Sequence, residues 1–268
     1  MSATTLTRGS VDGAAEAQAA ATDSAAPAAA VAPVHLSTGA SRLGVWSAVL
    51  TGMFSVGWAI SYFGIQQVIA PMPPWRGAAA YAAEFTPIHL LNLYPSLPLA
   101  VTFVVLMACI HVYAPPEKKV WSLSALAIAV LYATMASINY NIQLVAVRQS
   151  LLAGETEGLA MITMANPHSV FVALANSYVY MCLAMLFAAP VFEGGTLARW
   201  TRGLLLAAGL FAPYQLAWSL FDLSPLVIAL PFPLWLVGTP AACALLAVLF
   251  QRAGHAPAPT RQVAPSEA

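Results

Sequence analysis

Long apolar runs separated by short polar segments fill the middle of the chain, and both ends lack them. Six stretches are long enough to cross hydrocarbon as helices: residues 44–69, 87–113, 120–147, 169–192, 203–221 and 225–250, a crossing needing about 20 residues. A bilayer core leaves no partner for free backbone groups, and the two-residue alternation of a barrel strand is missing. Helix is therefore the element these runs predict. Residues 1–43 and 251–268 are rich in Ala, Thr, Ser and Pro without a recurring apolar stripe, and are expected to be disordered tails. The first tail has no basic start leading into large apolar residues, so it does not read as a secretory signal. The predicted fold is an all-α membrane protein, a six-helix transmembrane bundle with both termini on one side.

Charge sets the orientation. With six crossings, Arg8, Arg42, Lys118, Lys119, Arg199, Arg202, Arg252 and Arg261 share one side, and only Arg76 and Arg148 lie on the other. Cytoplasmic loops collect Lys and Arg, so both termini are expected in the cytoplasm and the protein in a bacterial cytoplasmic membrane. Composition agrees: 7% of residues are charged and 60% hydrophobic, where soluble domains carry about 25% charged residues. Ten cationic side chains balance ten acidic ones, leaving no basic surface for nucleic acid. Membrane lipids and a small molecule are the partners this composition allows.

Polar groups inside the apolar runs are costly and therefore informative. Tyr62 and Gln66 continue one stripe with Ser55; His89, Asn92 and Ser96 form another. In the third run Asn139 and Gln143 share a face, while Ser137, Asn141 and Arg148 lie nearly opposite. Amides on two faces predict that this helix is central in the bundle. Asn176 and Tyr180 align with Ser169 in the fourth run, and Gln215 aligns with Ser219 and Asp222 in the fifth. His168 stands in Asn166-Pro167-His168, which reads as an N-cap followed by a first-position proline. Nearly all these groups fall in the outer halves of their helices, whereas residues 101–106, 204–210 and 245–250 are almost purely apolar. The pattern predicts a polar cavity open outward and sealed toward the cytoplasm. Its candidate lining is His89, Asn92, Asn139, Asn141, Gln143, Arg148, His168, Asn176, Tyr180, Gln215 and Asp222.

The chemistry available to such a cavity is limited. Cys109, Cys182 and Cys243 are dispersed in apolar runs and make neither a disulfide framework nor a C-x-x-C site. No H-x-x-x-H, H-E-x-x-H, P-loop, dinucleotide fingerprint or nucleophile motif occurs, and no cofactor is expected. The leading reading is a non-catalytic membrane protein that binds a small molecule or lipid from the outer side. A carrier of an uncharged solute is the alternative. A membrane enzyme is a second one, and requires His89, His168 and Asp222 to converge on an outer-face site.

The stretch from Asn139 to Tyr180 is the most distinctive. Asn139-Tyr140 is followed by Gly154-Glu155-Thr156-Glu157-Gly158 and then by Asn166-Pro167-His168. It resembles a group of multi-span bacterial membrane proteins, of uncharacterised activity, with similar Asn-Tyr, Gly-Glu-x-x-Gly and Asn-Pro-His sequences. The resemblance implies that the third span, its outer loop and the start of the fourth act as one unit.

Overall fold

The computed structural model describes residues 35–221, 224 and 232–256, and every regular element among them is helical. In chain order the main helices are α1 (Thr38–Ile69), the short α2 (Ala78–Glu84), α3 (Pro87–Tyr113), α4 (Pro116–Ala153) and α5 (Val170–Val191). They are followed by α6 (Thr196–Gly209), α7 (Phe211–Phe221) and α8 (Phe232–His255). Five of them, α1, α3, α4, α5 and α8, are long and apolar enough to cross a membrane. Residues 222 and 223, 225–231 and most of both expected tails lie outside the described residues.

Several boundaries differ from the sequence reading: the third run extends from Pro116 to Ala153 rather than 120–147, the fifth begins at Thr196 rather than 203, and three further differences have a local cause. Helix α1 begins at Thr38, within the expected tail, because Ser37 caps it by accepting the Ala40 N–H (3.3 Å) and Leu36 N–H bonds the Ala253 carbonyl at 3.1 Å. Helix α8 correspondingly extends to His255. The run expected as one fifth span is two helices broken at Leu210. Pro213 causes the break, since its ring has no N–H for the Gly209 carbonyl and clashes with it.

Neighbouring helices close a ring in the order α1, α3, α4, α5, α6, α8 and back to α1. Lipid is as apolar as leucine, so this packing draws on close van der Waals fit rather than on hydrophobic transfer. Two glycines show how close it is. A Cβ on Gly44 would stand 2.7 Å from the Phe250 ring, and one on Gly209 would stand 2.5 Å from Leu186. The core between the helices includes Phe103, Leu106, Tyr132, Met181, Met185, Leu205, Leu246 and Phe250, all at most 2% exposed. Phe103 meets Tyr132 edge-on at 5.6 Å.

Helix α3 is the most enclosed, with 50% of its most apolar window buried, against 28% for α4. The expectation that α4 is central is therefore corrected. Asn141 faces outward and donates to the Ser137 carbonyl of its own helix at 2.8 Å, so that second face needs no protein neighbour.

Contacts assign the helix ends to two groups. At one end Ser41 donates to the Phe250 carbonyl (2.8 Å), Tyr113 stacks on Phe192 (5.8 Å) and Lys118 pairs with Glu193 (2.7 Å). At the other, Gln66 reaches the His89 carbonyl (3.0 Å), and Trp58 lies against Tyr178 (6.1 Å) and Trp235 (5.4 Å). We call these the Phe250 end and the Tyr62 end.

Candidate functional site

Two helices lose regular α geometry, both at the Tyr62 end. In α1 residues Ile60–Gln66 are π-helical, and in α4 so are Ile142–Val147. A π-turn holds an extra residue, widens the helix and re-aims side chains, and such turns concentrate at functional sites. Here they carry Tyr62, Gln66 and Gln143, which line one cavity with His89, Asn92 and Thr163; its volume is about 110 Å³.

Hydrogen bonds fix most of this wall. Gln143 clamps the loop that leads into α5: its Nε2 donates to the Ile162 carbonyl (2.6 Å) and its Oε1 accepts the Met164 N–H (3.0 Å). Gln66 donates through Nε2 to the His89 carbonyl, which leaves its buried Oε1 without a partner among the described residues. Thr86 N–H donates to His89 Nδ1 at 3.3 Å. Nδ1 must then hold a lone pair, so the neutral ring carries its proton on Nε2 and offers a donor there rather than a metal ligand. Tyr81 stacks on that ring at 6.2 Å, and its hydroxyl is 3.4 Å from the Met72 sulfur. Burial pushes the Tyr81 phenol up to about 12, which keeps it protonated.

A second cavity, of about 320 Å³, adjoins the first. Trp58, Tyr62, Tyr178, Phe211, Phe232 and Trp235 line it together with Gln215. Trp235 stands nearly perpendicular to Trp58 (84°, 5.4 Å) and to Tyr178 (80°, 5.4 Å), while Trp58 stacks on Tyr62 at 5.5 Å. Tyr62 is common to both walls. Tyr178 is also tied to α3: its hydroxyl lies 3.4 Å from Ser96 Oγ, which donates to the Asn92 carbonyl at 2.7 Å. A groove of about 360 Å³ between α1 and α8 is lined by Ala48, Gly52, Met53 and Cys243 among others, and brings no polar side chain to its wall.

The sequence-derived candidates divide accordingly. His89, Asn92 and Gln143 meet in the polar cavity, and Gln215 lines the aromatic one. Asn139 is fully buried on the same α4 face as Gln143, with both amide atoms unpartnered among the described residues. Arg148 is half-buried, and its Nε has no partner there. Asn141 and His168 are exposed; Asn176 and Tyr180 are half-buried and line neither cavity. Asp222 lies outside the described residues. The cap of α5 is Ser169, which accepts the Val172 N–H (3.3 Å), whereas Asn166 accepts the His168 N–H in the turn before it (3.0 Å). Among the described residues no three His, Cys, Asp or Glu side chains come close enough to hold a metal ion.

Sequence reasoning missed the aromatic wall, because aromatic rings count as apolar in a span and raise no alarm there. The usable signal was spacing: Trp58 with Tyr62, and Phe232 with Trp235, sit one turn apart on their helices. Comparisons with protein-family models, curated proteins and solved structures found no match.

Proposed function

We propose that this is a six-pass protein of a bacterial cytoplasmic membrane that binds a small molecule or lipid in the paired cavities near its outer side. Support for the sixth crossing comes from α6 and α7. Helix α6 starts next to Glu193 at the Phe250 end, and Phe211 of α7 packs on Phe232 and Trp235 (5.6 and 6.1 Å) toward the Tyr62 end. Together they make one crossing bent at Leu210. Orientation is supported by charge: Arg42, Lys118, Lys119, Arg199, Arg202 and Arg252 belong to the Phe250 end, and Arg76 and Arg148 to the other. A membrane-impermeant thiol reagent on intact cells is expected to label Arg76→Cys and spare Glu117→Cys. The three native cysteines are buried and give little background. The reverse pattern would overturn the orientation.

The observation that carries the binding role is the shared Tyr62, a π-helical residue standing between a polar cavity and an aromatic one. The larger cavity lies within the usual ligand-pocket range of roughly 300–1,000 Å³. Binding is favoured over transport because Phe103, Leu106, Leu246 and Phe250, each at most 1% exposed, fill the interior toward the Phe250 end with apolar side chains. Native mass spectrometry of the full chain released from its own membranes tests this. Wild type and Gly203→Ala, a change into open space, are expected to retain a ligand mass that Trp235→Leu loses. A bare wild-type protein would contradict the role.

A further inference from the structure

Resting on that binding role, we infer that the aromatic cavity receives a quaternary ammonium group. Its wall holds six aromatic side chains and a single amide, Gln215, and no charged side chain among the described lining residues. That wall discriminates by chemistry. A primary ammonium is best held by carboxylates and an anion by cations, and the described lining residues include no charged side chain to supply either. A neutral polar solute would find only the indole N–H groups, the phenol hydroxyls and the Gln215 amide as partners among the rings, and each of its remaining polar groups would be buried unpaired. A methylated ammonium has no N–H to satisfy, and it spreads its charge over methyl groups that pack as apolar surface.

Ring geometry narrows the choice further. A flat ligand would call for parallel rings set apart as a slot, and the near-parallel pairs in this wall, Trp58 with Tyr62 (11°, 5.5 Å) and Phe211 with Trp235 (30°, 6.1 Å), stand too close for one to enter. Instead Trp235 is nearly perpendicular to both Trp58 (84°) and Tyr178 (80°), and Trp58 and Tyr178 are inclined at 53°. These three rings meet as the corner of a box, which suits a rounded group. Aromatic faces carry negative quadrupole density and attract a cation held over them, indole most strongly. Two indoles and two phenols stand in this wall. An aliphatic wall of the same volume would serve a neutral rounded group equally well; the aromatic composition is what selects the cation.

The test uses the full chain in nanodiscs of phosphatidylglycerol, with labelled choline in equilibrium dialysis. Saturable binding is expected, displaced by tetramethylammonium. The neutral isostere 3,3-dimethyl-1-butanol should compete about tenfold more weakly or worse, the difference a desolvated cation–π contact makes. Trp58→Leu should narrow that gap, and Trp58→Phe, which keeps a ring, should restore part of it. Equal competition by the isostere in wild type would overturn the ammonium assignment, and this comparison depends on no variant folding. No choline binding, together with a ligand mass retained in native mass spectrometry, would also overturn it while leaving the binding role intact. A repeat in phosphatidylcholine nanodiscs identifies the source. Loss of choline binding there assigns the site to a lipid headgroup, and unchanged binding assigns it to a free solute.

Discussion

At the Phe250 end, side chains interlock so closely that glycine is required where α1 passes Phe250, and the polar groups are paired: Ser41 with the Phe250 carbonyl, His111 with Ser122 (2.9 Å), Lys118 with Glu193. At the Tyr62 end two helices widen into π-turns, two cavities open, and Gln66 Oε1 and the Asn139 amide stay unpartnered among the described residues. One half of the molecule is optimised for packing. The other retains the irregularities and unpaired polar groups that packing alone would remove, and these are what a ligand site needs.

Changes at the Phe250 end should therefore be the most damaging. Phe250→Ala is expected to cost about 3–5 kcal/mol, and Gly44→Val, which overfills the contact with Phe250, about 1–3 kcal/mol; equilibrium unfolding of the purified protein measures both. If either variant unfolds like wild type, the two ends are not differently packed. At the Tyr62 end the sign should reverse. Asn139→Leu removes two buried unpartnered atoms and is expected to gain about 1 kcal/mol in the same assay. A loss of stability would mean that the amide has a partner and that the contrast is weaker. The smallest effect belongs to the exposed Lys118–Glu193 pair. The Lys118 hydrogen bond holds the Glu193 carboxyl below the ordinary glutamate range, so the pair's contribution is present above the unfolded carboxylate's pKa and is lost as pH falls through the lower folded value. Lys118→Met should thus shift unfolding slightly at neutral pH and not at all in strong acid.

The helical spans were legible because apolar length is a coarse signal that tertiary contacts do not alter. The break at Leu210 was legible in principle from Pro213 inside the expected fifth span. His89, Asn92 and Gln143 stood out because a histidine or amide in an apolar run demands a partner. The π-turns did not, since Ile60–Gln66 and Ile142–Val147 contain nothing that distinguishes them from ordinary helix. Asn141 misled for a related reason: its amide looked as though it needed another helix, yet the Ser137 carbonyl one turn back suffices. The aromatic box could not be assembled from a linear pattern, because its rings come from four helices, α1, α5, α7 and α8.

The most direct measurement is a cryo-electron microscopy map of the full chain purified from its own membranes without added ligand. The expected result is density inside the box of Trp58, Tyr178 and Trp235, extending past Tyr62, with continuous side-chain packing and no enclosed density at the Phe250 end. Rings collapsed onto one another with no room between them, or ligand density enclosed within the Phe250 end, would contradict the division of the bundle into a packed half and a binding half.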